Sequence, residues 1–207
     1  EMCIRDRLNT APMVLVARPG LPAKSYADFV QLAKAAPGKY NYATSGVGTV
    51  LQLAMELLKQ RSGIFVTHVP YRGGAQIATD VIGDQVDLAM LVSTSAIPHV
   101  NGKRLQALGI TGTKRLPSLP GVPTFDEMPG LKGFDMVSWT GIFAPAKTPP
   151  AIVARLNQEL EAVLQEEGVR TKLAEQGALP GSGTPEAFGR FVPVSYTHLR
   201  AHETKAN

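Results

Sequence analysis

The chain has 207 residues, 44% hydrophobic and 18% charged, enough for one good core or two small ones. No uninterrupted apolar run reaches the roughly 18 residues of a membrane span, which speaks against direct membrane insertion. The formal charge of +4 is spread along the chain and aromatics are only 6%, so no nucleic-acid groove is supported, while the single cysteine, Cys3, excludes an internal disulfide and a cysteine-built metal site.

Two terminal stretches are set aside. Residues 1–8, and residues 193–207 with VSYTHLRAHET at 194–204, look like read-through of sequencing-adapter sequence, and nothing at the start has the apolar stretch of a signal peptide. This removes His198 and His202 from any metal reading; a pair at i, i+4 is in any case too few ligands for a zinc site.

The run PMVLVA at 12–17 predicts a strand covered on both faces, stopped by RPGLP at 18–22. Ser25 with Asp28 predicts a capped helix whose stripe is Tyr26, Phe29, Val30, Leu32 and Ala33, ended by Pro37 and Gly38. Residues 39–43 return as a strand and lead, with Thr44 extended, into the turn Ser45, Gly46, Val47, Gly48 and Thr49. There the two glycines permit unusual backbone angles, and Thr49 with Gln52 predicts a capping box ahead of an apolar helix. The first N–H groups of a helix have no internal partner, so such a turn is a ready anion seat, although a plain tight connection explains the glycines equally well. A second, similar turn shifts that balance. Residues 64–69 predict a strand running into Pro70, Tyr71, Arg72, Gly73 and Gly74, then a helix bearing Ala75, Ile77, Ala78, Val81 and Ile82.

Strands are predicted at 86–92 and 105–110, with a short helix starting at Ser93 between them. Alternating strands and helices imply an α/β fold around a parallel sheet with both faces covered. In such sheets ligands lie beyond the carboxyl ends of the strands, which is where 45–49, 71–74 and 93–95 emerge. Residues 111–133 form a long Pro- and Gly-rich connection with one short helical candidate at 124–128, and 138–145 is a strand. Pro149 and Pro150 open a helix with Ile152, Val153, Leu156, Leu160, Val163 and Leu164 at helical spacing. Further helices follow at 169–176 and from Thr184. This helical third lacks strands to pack on, so its sheet is expected from residues ahead of Leu8, in a larger two-domain protein of which this is a truncated piece. The Leu156 and Leu160 face is then expected to be incompletely covered.

The motifs NYATSGVGT at 41–49, HVPYRGG at 68–74, GDQVDL at 83–88, LPGVPT at 119–124 and WTGIFAP at 139–145 together resemble the solute-binding receptors of tripartite tricarboxylate transporters, the Bug family. The resemblance runs from about Asn9 to Val192. It implies a type II periplasmic binding protein fold, with residues 19–137 as a complete lobe two and residues 146–192 as the helical part of lobe one. Residues 9–18 and 138–145 would be the two crossings between them. It further implies a periplasmic receptor that captures a small carboxylate and delivers it to membrane transporter subunits, monomeric at full length, with no cofactor, metal or catalysis. Carried onto this chain, Ser45, Gly46, Val47, Gly48, Thr49, Tyr71, Arg72, Gly73, Gly74 and Ser93 are the expected ligand-binding residues. One departure stands out: where the family commonly has an acidic residue with a serine after the VDL strand, this chain has Leu91 and Val92, followed by Ser93 and Thr94. That favours a plain carboxylic or aromatic acid over an amino acid.

Other readings of the same residues remain. A ligand-presenting sensor would have the same lobe, and the effector-binding domain of a transcriptional regulator shares the fold. Arg72 is either a bidentate carboxylate partner or a solvated charge. Trp139 either faces the cleft or packs beside the crossing. His68 and His99 are assigned no role, and the absence of a Gly-x-Ser-x-Gly motif, a P-loop lysine or a metal-spaced cluster argues against an enzyme.

Overall fold

A run in which every residue is apolar can only be a strand if both of its faces are covered, and β1 (Met2–Ala17) shows how that is met. In the computed structural model, which describes residues 2–145, 147–181 and 186–192 with side chains from residue 7 onward, the alternate residues Met13, Leu15 and Ala17 enter one core. Val14 and Val16 enter a second core on the opposite face.

The remaining elements follow in chain order. They are α1 (Tyr26–Ala35), β2 (Asn41–Thr44), α2 (Val50–Ser62), β3 (Thr67–Pro70), α3 (Gly74–Ile82), β4 (Leu88–Val92), α4 (Ser93–Asn101) and β5 (Gln106–Ile110). After a short 3-10 turn at Phe125–Glu127 come β6 (Val137–Pro145), α5 (Pro150–Gln165), α6 (Glu167–Glu175) and β7 (Leu179–Pro180), and residues 186–192 are helical. The first core gathers Tyr26 and Phe29 from α1, Met55 and Leu58 from α2, and Phe125 and Phe134 from the long connection. The second gathers Ile77 and Val81 from α3 with Ala96 and Ile97 from α4.

Strand order is β3-β2-β4-β1-β5. β2 is parallel to both β3 and β4, but β1 lies antiparallel between β4 and β5, with Val14 opposite Leu91 on one side and Ile110 on the other. The expected all-parallel sheet is therefore a mixed one. Apolar alternation reports how many faces are buried and is silent on strand direction, because direction leaves no mark on which side chains point inward.

The outer part of β1 pairs with β6, from Met2 opposite Pro145 to Pro12 opposite Val137, and with β7 at Asn9 and Thr10. The strand thus extends well ahead of the expected start at Pro12, and the backbone of the N-terminal stretch set aside from fold reasoning pairs with β6. The C-terminal stretch 193–207 and the start of the last helix at Thr184 lie outside the described residues. Helix α5 leaves Ile152, Leu156 and Val163 exposed at 49%, 53% and 44% while Leu164 is buried, so its apolar stripe is incompletely covered.

Candidate carboxylate site

Because β2, β3 and β4 are parallel neighbours, the helices that follow them begin on one edge of the sheet. Three helix N-termini therefore lie side by side, each with the partial positive charge of unpaired amides. They are held in contact. Tyr71 N–H donates to Thr44 O at 2.9 Å, linking the first two turns. A Cβ placed on Gly46 would sit 3.9 Å from Tyr71 O, and one on Gly74 would sit 3.9 Å from Ser95 Oγ.

The first turn is fixed by hydroxyls from both of its ends. Thr44 Oγ1 and Thr49 Oγ1 donate to the same carbonyl, Gly46 O, at 3.2 and 2.9 Å. Gly46 and Gly48 have φ of 138° and 73°, angles that favour glycine, and Val47 stands out at the tip with 76% exposure. Thr49 caps α2 by accepting from Gln52 N–H at 3.4 Å. The predicted capping box closes differently on its other side: Gln52 Oε1 takes the N–H of Gly48, at 2.6 Å, one residue ahead of Thr49. The cause is His68, which accepts from Gln52 Nε2 at 3.3 Å and holds the amide over the turn. The other two helix starts are more open, since neither Gly73 ahead of α3 nor Val92 ahead of α4 supplies a side-chain cap.

The predicted residues are placed unequally. Ser45, Gly46, Val47, Gly48 and Thr49 form the first turn and Gly73 and Gly74 the second. Arg72 is exposed beside them, with no ion pair among the described residues. Tyr71 is half-buried and turned along α3, where its hydroxyl donates to Asp80 at 2.7 Å; burial and then that carboxylate push its pKa up to about 12. Ser93 is fully buried and its hydroxyl donates to Gly177 O at 3.2 Å, tying α4 to the loop after α6. Leu91 is 1% exposed within the second core, which leaves Val92 as the half-buried apolar neighbour of this edge. Trp139 packs edge-on against Phe188 and Phe191, with centroids 5.4 and 5.8 Å away.

Sequence reasoning missed Thr44, Gln52 and His68 as parts of this site. Tyr42 stacks on His68 at 4.9 Å, Thr44 Oγ1 meets His68 Nε2 at 2.7 Å, and burial lowers the imidazole pKa. A histidine held on both nitrogens beneath a glycine turn was readable only through the parallel register that sets Tyr42 beside His68. Among the described residues no cluster of His, Cys, Asp and Glu could hold a metal, and no helix is long and apolar enough to cross a membrane.

A mixed sheet crossed by a shared antiparallel strand, with helix N-termini on one edge, defines the type II periplasmic binding protein fold. A solved structure from R. palustris, Rpa4515 with adipate, superposes with a TM-score of 0.95 at 30% identity, covering 100% of this chain and 69% of that one. MatC from Rhodopseudomonas palustris, solved with bound malate, gives 0.89 at 29% identity, covering 97% and 69%. The sequence belongs to the family described as the tripartite tricarboxylate transporter family receptor, which it matches over residues 4–195. A relative from Pseudomonas sp. (strain P51), a UPF0065 protein in the tcbD-tcbE intergenic region, is 40% identical over 86% of this chain. The chain spans 53% of that relative, about half its length. The family is one of binding receptors rather than enzymes.

Proposed function

We propose that this chain belongs to a periplasmic receptor that captures a small carboxylate and delivers it to the membrane subunits of a tripartite transporter. The observation that carries the reading is the convergence of the α2, α3 and α4 N-termini on one sheet edge, two of them without a side-chain cap. Backbone amides at helix starts bind an anion without a charged side chain, and Arg72 is an exposed cation beside them. The seat is formed by Ser45, Gly46, Val47, Gly48 and Thr49 opposite Tyr71, Arg72, Gly73 and Gly74, while Ser93 braces it from below. Residues 19–137 act as lobe two, with residues 9–18 and 138–145 as the crossings to a lobe containing 146–192, and the receptor works as a monomer. The adipate and malate in the two similar structures name the probes.

Isothermal calorimetry of adipate and malate against the chain tests this. Saturable binding that Gly48→Val weakens supports the reading. No heat for either acid, or binding untouched by that substitution in a folded variant, overturns it.

A further inference from the structure

A chain of hydrogen bonds under the first turn has only one possible direction. The N–H of Gly48 can only donate, so the atom of Gln52 facing it at 2.6 Å is the oxygen. The amide nitrogen of Gln52, which also only donates, then faces His68 Nδ1 at 3.3 Å, and that nitrogen must be unprotonated. The neutral ring carries its hydrogen on Nε2 and donates to Thr44 Oγ1 at 2.7 Å, and Thr44 passes its own hydrogen to Gly46 O at 3.2 Å. One imidazole thus orients an amide and a hydroxyl that grip the turn at Gly48 and at Gly46.

We propose that His68 is a positioning residue of the carboxylate seat, and that its protonation turns the Gln52 amide over, releases the N–H of Gly48 into the site and strengthens carboxylate binding. This rests on the receptor reading above. A protonated ring has donors on both nitrogens, so Nδ1–H and the Gln52 NH2 cannot face each other. Rotating the amide gives Nδ1–H an oxygen and presents NH2 to Gly48 N–H, which has then lost its acceptor. A carboxylate in the seat supplies one.

The surrounding charges compensate the new proton only in part. From α2, Glu56 and Lys59 face His68, and Lys59 Nζ binds both oxygens of Glu56 at 2.8 Å. The same carboxylate takes the hydroxyl of Tyr42, the ring stacked on His68 from β2. Glu56, already bound by Lys59 and Tyr42, offsets part of the added positive charge, and the remainder acts on whatever anion sits in the turn. Burial, with Lys59 in support and Glu56 opposed, holds the ring neutral near pH 7, and the change falls on the acid side of that.

The test is a nitrogen-15 and proton NMR titration of His68 and of the Gly48 amide, with calorimetry of adipate and malate at pH 8 and pH 5.5. In the wild type the neutral ring is the Nε2–H tautomer, and the Gly48 amide shifts with the His68 midpoint. Gln52→Glu, which offers oxygen to both neighbours, moves that midpoint up. Affinity rises severalfold from the higher to the lower pH, toward a ceiling of about tenfold if the bound anion raises the His68 pKa by about one unit. In His68→Gln, which keeps a neutral donor toward Thr44, the rise in affinity toward low pH is lost. An Nδ1–H tautomer, a Gly48 amide indifferent to His68, or a rise in affinity toward low pH that survives His68→Gln overturns the proposal with the receptor reading intact. Coupled titration of His68 and Gly48 without binding of either acid supports the lock and overturns the receptor reading, together with the affinity half of this one.

Discussion

Thr44 ends a four-residue strand, yet its one hydroxyl serves two partners that matter. It is fully buried, accepts from His68 and donates to Gly46 O. Thr44→Val keeps the shape and removes both bonds, leaving the N–H of a half-buried imidazole without its partner. The expected cost is about 1–3 kcal/mol, read from urea unfolding, and an unchanged midpoint would contradict the assigned network. Glu127 gives a second residue-scale expectation. Arg115 Nε at 2.9 Å, and then the N–H of Thr124 at 3.0 Å, hold its pKa down at about 2. Its folded pKa is depressed, so the stability it contributes is present above its ordinary value of 4.5 and disappears as pH falls from there toward about 2. An NMR titration of the Glu127 carboxyl should show that midpoint, and Arg115→Gln should move it upward. The caps were legible residue by residue because a cap is a local event: Ser25 with Asp28 caps the predicted helix. Gln52 was not fully legible, because its second partner arrives from a different strand.

Elements were legible in existence and type, and less so in extent and direction. Apolar spacing located the helices and the strands other than β7, whereas β1 runs ahead to Met2, pairing with β6 where no local signal announces it. β3 starts at Thr67 rather than at residue 64, where the chain is still outside the β2 register. Packing between elements sets sharper expectations. On β5, a Cβ at Gly109 would lie 2.5 Å from Cε1 of the fully buried Phe125, so the strand and the 3-10 turn touch only because this residue is glycine. Gly109→Ala should cost about 1–3 kcal/mol through overpacking, and a wild-type melting temperature would show that the ring moves aside freely. Helix α5 provides an internal contrast. Leu164→Ala should cost about 2–5 kcal/mol, whereas Leu156→Gln, at a position 53% exposed, should stay within about 0.5 kcal/mol. Equal effects from the two would mean that the exposed stripe is covered in solution.

At the scale of the whole molecule, a stabilising clasp and the proposed carboxylate seat sit on opposite edges of one sheet. Carboxyl ends of β2, β3 and β4 face the seat, and their amino ends face a clasp built from Arg18, Asn41 and Asp87. Arg18 Nε donates to Asp87 Oδ1 at 2.9 Å and Asn41 N–H donates to Asp87 Oδ2 at 3.1 Å. Asp87 N–H returns a bond to Asn41 Oδ1 at 2.9 Å. The clasp joins the end of β1 to the starts of β2 and β4, which the antiparallel register brings together by placing Ala17 opposite Leu88. The sequence showed Asp87 only as one letter of a family motif, because its partners are 69 and 46 residues away and on different strands. Asp87→Ala strips an acceptor from a half-buried guanidinium and from a backbone amide, and should cost about 1–3 kcal/mol of stability. Nothing in that loss reaches the turns at 45–49 and 71–74, so the folded variant should bind adipate as the wild type does. Gly48→Val should do the reverse. Its φ of 73° is strained for a β-branched residue, and the added side chain obstructs the amide seat, so affinity should fall by more than stability does. Calorimetry and urea unfolding on both variants form a crossed test. If Asp87→Ala weakens adipate binding at a temperature where it is fully folded, the two edges are coupled through the sheet, and the separation argued from its topology is wrong.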